Sequence, residues 1–307
     1  MGIALSTSWN AFRYEDAKKL LFEIREVGFD EIELSFNLTA NMVSEIECLV
    51  KDGLINIVSL HNYCPIPEGL KREEALPDIF NMASLNEEER SLAVKFSKRT
   101  IDTAKNTGAK AVVLHCGRVE IPDATKQLIE LYDKGLKDSP EFLKLKNNAL
   151  VERKQRAGRF LENSIKSLDE LNSYAKMQGI FLGIETRFYF REIPSLEELD
   201  IILKKFRGSQ VFYWHDSGHA QVMEELGFNK HSEFLSAGAK SIIGVHLHDV
   251  IGCSDHKAPL KGMINFDLLK GYLKKETLKV IEAHHPATIS DLRQAKDFLE
   301  DKFKHAL

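Results

Sequence analysis

The chain has no basic excess, no paired cysteine motif and no long apolar run, and each absence removes a class of protein. Lys and Arg number 42 against 46 Asp and Glu, a net charge of -4. No strong positive balance advertises nucleic acid, although a local basic rim can coexist with an acidic total. Only four cysteines occur in 307 residues. Cys48, Cys64, Cys116 and Cys253 lie far apart with no CxxC pair, which suits a reduced, cytoplasmic protein. No window approaches about 18 uninterrupted apolar residues, so no membrane span is expected. The opening MGIALSTSWNAFRYEDAKK has no basic stretch before its short apolar one and runs into a strand and an amphipathic helix, unlike a signal peptide.

What the chain does have is a repeated arrangement. Six short apolar runs, SLH (59–61), VVLH (112–115), FLGIE (181–185), VFYWHD (211–216), IIGVHLH (242–248) and LKVIEAH (278–284), carry a metal-binding residue type at or near their ends. These are His61, His115, Glu185, Asp216, His246 and Glu282. In a closed barrel of parallel strands the carboxyl ends of all strands meet around one axis, so residues far apart in sequence can share one ion.

Hydrophobic periodicity predicts eight strand-then-helix units with no linker between them, an α/β chain forming a single (β/α)8 TIM barrel over residues 1–307. The expected strands are 3–8, 31–36, 55–61, 111–115, 180–185, 211–216, 242–248 and 278–282. The expected helices are 14–27, 40–51, 87–106, 158–177, 195–206, 231–237, 266–273 and 290–304. Gly28, Gly53, Gly108 and Gly179 fall where helices need a left-handed end, and Ser195 with Glu198, and Ser290, read as helix starts. Long loops follow strand three (62–86) and strand four (117–156, with an extra helix in IPDATKQLIELYDKG). Loops of that length at the catalytic end of a barrel are usually lids or substrate walls.

Imidazole and carboxylate ligands without thiolates suit Zn, Mn, Co or Fe, with open positions for water or substrate oxygens. His219, three residues beyond Asp216, and His256, in the loop after strand seven, can reach the same cavity. His248 shares the strand face of His246 and is expected to touch substrate, as is Tyr63 after His61. His215, of opposite parity to Asp216, should face the helices. His231, His284, His285 and His305 read as solvated, core or supporting groups, and Asp249 as a partner that orients a ligand imidazole. In TRFYFREIP, Arg187 or Arg191 can bind an anionic or hydroxyl-rich substrate while the aromatics stack on it or pack the rim. Glu33 can line the mouth; Trp9 and the loop cysteines read as packing.

With these residues in place the chain resembles the xylose-isomerase-like TIM barrel superfamily, which includes endonuclease IV (AP endonuclease family 2) and the sugar phosphate isomerase and ketose 3-epimerase families. VGFDEIEL, LHCG, LGIE, HDSGH, HLHD, the segment ending in LKGMINF, and VIEAH occur in that superfamily's order. The resemblance implies that Glu185, Asp216, His246 and Glu282 hold one divalent ion, that Glu185 and Glu282 also transfer protons, and that His219 contacts a substrate oxygen. Endonuclease IV adds ligands matched here by His61 and His115 with a bridging Glu185, and by His219 with His256. The chain departs from both subfamilies. Asp216-Ser217-Gly218-His219 stands where endonuclease IV has Asp-Thr-Cys-His. The place of its third-metal aspartate falls on Ser254, one residue from Asp255. Gly252 stands where the epimerases carry an arginine.

Two chemistries follow as expectations. The first is isomerisation or epimerisation of a sugar or sugar phosphate by metal-assisted proton transfer, with Glu185 and Glu282 as the proton carriers. The second is phosphodiester hydrolysis by two or three ions sharing Glu185, and only this one implies a nucleic acid partner. Zn or Mn, one to three ions, is the expected cofactor. No membrane partner is expected, and a homo-oligomer is compatible with either chemistry. A metal-bound scaffold without catalysis would make poor use of so many ligands.

Overall fold

The computed structural model describes residues 2–304. The strands are β1 (Ala4–Ser6), β2 (Glu31–Leu34), β3 (Asn56–His61), β4 (Ala111–Leu114), β5 (Phe181–Glu185), β6 (Val211–Asp216), β7 (Ile242–Leu247), β8 (Asp249–Ile251), β9 (Ser254–Lys257) and β10 (Leu278–Ile281). All but β8 and β9 pair in parallel and close into a barrel in the order β1-β10-β7-β6-β5-β4-β3-β2. The helices are α1 (Ala17–Val27), α2 (Ala40–Lys51), α3 (Glu87–Thr107), α4 (Ala124–Asp133), α5 (Pro140–Gln178), α6 (Leu196–Lys205), α7 (Ser217–Glu225), α8 (His231–Gly238) and α9 (Ile289–Phe303). Among the described residues no helix is long and apolar enough to cross a membrane. His305 lies outside them.

Strand alternation sorts the side chains into two layers. Ala4, Val58, Ala111, Val113, Trp214, Leu278 and Val280 fill the barrel interior. A larger apolar layer, with Leu5, Ile32, Leu60, Val112, Ile184 and Val245 from the strands, packs against the helices. Trp214 fits the barrel interior because its flanking strands offer glycine: Gly244 is its register partner on β7, and Gly183 lies two residues before its partner Glu185 on β5. A Cβ on Gly183 would stand 2.8 Å from the indole, and one on Gly244 would collide with it. The imidazole of His246 rests on this indole, ring centroids 5.2 Å apart. Trp214 is thus the support beneath the strand-end residues.

Several elements differ from the sequence expectation. The helix expected over 158–177 begins at Pro140, because Ser139 caps it through the Phe142 N–H and Pro140 takes the first turn. The extra helix expected in IPDATKQLIELYDKG is α4, and with the unforeseen first half of α5 it makes most of 117–156 helical. Residues 217–225 form α7, a short helix capped by Asp216 itself. The helix expected over 266–273 is only a 3-10 turn, Phe266–Leu269. Gly271 follows it and disfavours extension. His248 leaves β7, and a hairpin of β8 and β9 follows. The last helix is capped by Thr288 with Asp291 rather than by Ser290. The glycines expected at helix ends are left-handed, as at Gly28 (φ 112°) and Gly179 (φ 72°).

Candidate active site and metal centre

Asp216 and His246 are register partners at the ends of β6 and β7. Glu185 closes β5 beside them, and Glu282 follows β10. His246 Nδ1 lies 2.6 Å from Glu185 Oε1, 3.0 Å from Glu282 Oε2 and 3.6 Å from Asp216 Oδ2. Its Nε2 lies 3.1 Å from Glu33, which also accepts the Ser59 hydroxyl at 2.8 Å. A carboxylate only accepts, so Nε2 carries a hydrogen toward Glu33, and Nδ1 among three further carboxylates either carries a proton or gives its lone pair to a cation that the same oxygens share. Oxygen and nitrogen lone pairs converging in a buried site call for a cation. The four ligand atoms lie within 4.8 Å of one another, and the donor set fits a divalent ion.

Two further imidazoles converge on the other oxygen of Glu185. His61 Nε2 is 3.7 Å and His115 Nε2 2.7 Å from Oε2. Their outer nitrogens are tied to the Asn62 carbonyl at 3.0 Å and to Asp78 at 2.9 Å. His219 donates from Nδ1 to the Thr186 carbonyl at 2.9 Å and turns Nε2 toward Asp255, 3.6 Å away. His256 Nδ1 meets the same carboxylate at 3.0 Å, with Nε2 3.8 Å from Glu282. Outer acceptors of this kind fix the tautomer and ring angle of metal-binding imidazoles. Asp255, one residue beyond Ser254, thus stands between the imidazoles of His219 and His256.

Arg187 threads the carboxylates together, with Nη1 2.6 Å from Glu185 and Nη2 3.1 Å from Glu192 and 3.4 Å from Asp78. Asp78 and Glu192 were not foreseen. Both sit in loops, where periodicity carries no positional information, and only their acidity in long catalytic-face segments could have drawn attention. Glu33, expected only as a mouth residue, has the orienting role assigned from sequence to Asp249. Asp249 instead accepts the backbone N–H groups of Val250, Gly262 and Ile264, pinning the segment after the hairpin.

Two residues expected to touch substrate lie behind the cavity wall. His248 is fully buried and does not line the cavity. Its Nε2 donates to Asp216 at 2.9 Å while its Nδ1 accepts the His256 N–H at 2.9 Å, so both ring nitrogens are consumed holding the site. Gly218 lets it sit there, since a Cβ at that position would collide with the imidazole. Tyr63 is buried with its hydroxyl on the Phe80 carbonyl at 3.1 Å. It sits outside the cavity lining.

Other residues fall as read. His215 faces the helices, pairing with His231 and Tyr213, and Trp9 packs with its indole N–H on Ala287. Burial pushes the Cys116 and Cys253 thiols up to about 12, as expected of apolar fillers. His284 lines the cavity, stacked on His256 at 3.9 Å. His285 is exposed against Phe12. Arg191 reaches the mouth beside Asp123, 3.7 Å away.

The charges divide the two glutamates. Burial pushes Glu185 up, but hydrogen bonds from His115, His246 and His61 hold it well below the usual carboxylate range. Burial raises Glu282, and His246 and His256 do not fully offset it. Burial opposes charge on His246, yet Glu282 and Glu33 raise it well above an ordinary imidazole. Burial and Arg187 likewise oppose charge on His115, and Asp78 and Glu185 carry it to about 9. Glu192 is pushed up to about 7, by burial first.

Glu185, Glu282, His115, His256 and Glu192 line a cavity of about 680 Å³, a size that suits a small molecule. Phe36, Leu76, Phe188 and Tyr189 give it apolar walls, and Arg118, Lys126 and Arg191 a cationic rim.

Comparison with known proteins places this architecture. The chain is 26% identical over 296 residues to an uncharacterized protein of Methanocaldococcus jannaschii, covering 91% of this chain and 90% of that one. Its fold superposes on a D-tagatose 3-epimerase-like protein with TM-score 0.69 at 22% identity, covering 99% of this chain and 97% of the other. It superposes on IolI protein with a bound zinc atom at TM-score 0.66 and 16% identity, covering 100% and 99%. Residues 21–302 match the family model described as xylose isomerase-like TIM barrel, and the chain belongs to that family.

Proposed function

We propose that the protein is a divalent-metal-dependent isomerase or epimerase of a sugar or sugar phosphate. The observation that carries this reading is the convergence of two buried glutamates and Asp216 on one imidazole beside the cavity. Glu185, Glu282 and Asp216 stand 2.6, 3.0 and 3.6 Å from His246 Nδ1. Two carboxyl groups from different strands at one ion site can share the work of base and acid. Glu185, Asp216, His246 and Glu282 would hold an ion that polarises a carbonyl and stabilises developing negative charge. The glutamates then remove a proton from the carbon beside that carbonyl and return one. Arg187 keeps Glu185 ionised and aimed, and the aromatic walls exclude water from the reacting carbon. The D-tagatose 3-epimerase-like and zinc-bound IolI folds are in keeping with this chemistry.

A specific observation favours a second reading, multinuclear phosphodiester hydrolysis. His61 and His115 share Oε2 of Glu185 while the mononuclear set uses Oε1, and His219, Asp255 and His256 form a third group. That is ligation enough for more than one ion.

Metal content per chain, measured by elemental analysis after reconstitution with Zn or Mn, separates the two. One ion that survives His115→Ala, with turnover of ketoses or their phosphates, supports the isomerase. Two or three ions lost together in His115→Ala, with cleavage of abasic DNA, would replace it with the hydrolase.

A further inference from the structure

On the helix side of the strands that carry Glu185 and Asp216, a line of buried polar side chains runs outward through the barrel wall. The Asp216 N–H meets Thr186 Oγ1 at 3.4 Å, and Thr186 Oγ1 meets the Tyr213 hydroxyl at 2.6 Å. That hydroxyl meets His215 Nδ1 at 2.8 Å, and His215 Nε2 meets His231 Nε2 at 2.9 Å. His231 Nδ1 then meets Gln221 Oε1 at 3.2 Å, and the Gln221 amide nitrogen meets Glu225 at 3.0 Å. Thr186, Tyr213, His215 and His231 are each at most 1% exposed. No carboxylate touches either imidazole, unlike those in the cavity, and the two facing ring nitrogens, 2.9 Å apart, can hold only one hydrogen between them. The packing is close: a Cβ on Gly238 of α8 would collide with the Tyr213 ring.

Only one arrangement of hydrogens satisfies this line while both rings are neutral. Glu225 can only accept, which orients the Gln221 amide with its oxygen toward His231. His231 therefore donates from Nδ1 and accepts at Nε2. His215 must donate from Nε2 and accept at Nδ1, so the tyrosine hydroxyl donates to His215 and accepts from Thr186. Thr186 Oγ1, having given its hydrogen, accepts the Asp216 N–H. Every buried donor has an acceptor and the direction is fixed from end to end, the condition under which a buried polar network specifies geometry.

Thr186 is where this line meets the cavity. Its own N–H donates to the Trp214 carbonyl, and its carbonyl accepts the Nδ1–H of His219. It thereby fixes which nitrogen His219 turns inward. We propose that Thr186, Tyr213, His215 and His231 are positioning residues that hold Asp216 in the arrangement needed to take a divalent ion and aim His219 into the cavity beside it. The inference rests on the metal-site part of the proposed function and is independent of whether the substrate is a sugar.

Two measurements test it without turnover. Imidazole nitrogen NMR of the metal-free protein at pH 7 should find His215 protonated on Nε2 and His231 on Nδ1. His215 protonated on Nδ1 would reverse the line and overturn the assignment. Metal affinity supplies the second test, by titration with Mn or Zn. Thr186→Val keeps the shape but removes the hydroxyl, and should weaken binding about tenfold or more. Thr186→Ser restores the hydroxyl and should stay within about threefold of the parent. Equal affinity in all three proteins, or equal loss in both variants, removes the positioning role. Should Thr186→Val fail to fold, Tyr213→Phe deletes one hydroxyl of the same line and carries the same expectation. If no ketose is turned over yet these results hold, the sugar reading falls and the positioning chain stands.

Discussion

The chain places buried imidazoles on both sides of the barrel wall, and their chemistry diverges. Inside, His115 and His256 are raised to about 9 and His246 well above its ordinary value. Outside, His231 is lowered to about 4 and His215 well below the ordinary value. Burial opposes charge on all five, so depth is not what separates them. Carboxylates are: Asp78 and Glu185 flank His115, Asp255 and Glu282 flank His256, and Glu33, Glu185 and Glu282 flank His246. His219 and His284 mark the boundary, lying in the cavity but lowered: at His219 burial outweighs Asp216 and Glu185, and at His284 burial acts together with the charge of His256 and His248. Convergent carboxylates are thus what makes a buried histidine basic here, and only where they outweigh burial.

The comparison breaks most completely at Glu185, which bonds to His115, His246 and Arg187. Glu185→Ala should remove bound metal and lower activity by about three orders of magnitude or more, since one side chain serves as ligand and proton carrier. Elemental analysis and turnover check both. Retained metal with full activity would refute the site. Arg187→Met should cost about 3–5 kcal/mol of stability, read by denaturant unfolding, because it strands Glu185, Glu192 and Asp78 without their shared cation. It should also raise His115 further, since Arg187 now opposes charge there.

The inner set was legible because strand geometry carries positional information. His61, Glu185 and Asp216 end their strands and His246 sits one residue inside β7, so apolar runs with polar ends located them, and parity alone sent His215 outward. Asp78, Glu192 and Asp255 were not legible in the same way, because a loop or hairpin residue is placed by its tertiary contacts and not by a repeat. His248 shows the limit of parity. One residue past the end of β7 the chain turns into a hairpin, and the ring goes behind Asp216 instead of into the cavity. The long α5 was missed for a related reason. Its first half buries little beyond Phe142, Ala149 and Arg153, so its apolar period is faint. Arg153 anchors it through a bidentate pair with Glu198 at 2.9 and 2.7 Å.

The opposite shifts predict a stability profile with a maximum in the metal-free protein. A folded imidazole near 4 against about 6.5 unfolded leaves the unfolded chain binding the extra proton between those values. His231, lowered to about 4, therefore contributes no loss above pH about 6.5 and a growing one as pH falls toward 4. His115 and His256, raised to about 9, bind their protons more tightly when folded. Their contribution is fully present below pH about 6.5 and is lost as pH rises through 9. Unfolding free energy measured in chelator should accordingly peak near neutral pH and fall on both sides, each histidine accounting for about 3 kcal/mol across its window. His231→Gln should flatten the acid side and His256→Gln the alkaline side. Saturating metal should abolish the alkaline decline, because an ion takes the place of the proton among the same carboxylates. A profile that only rises or only falls through this range would mean that the two sets of imidazoles do not differ as their surroundings require.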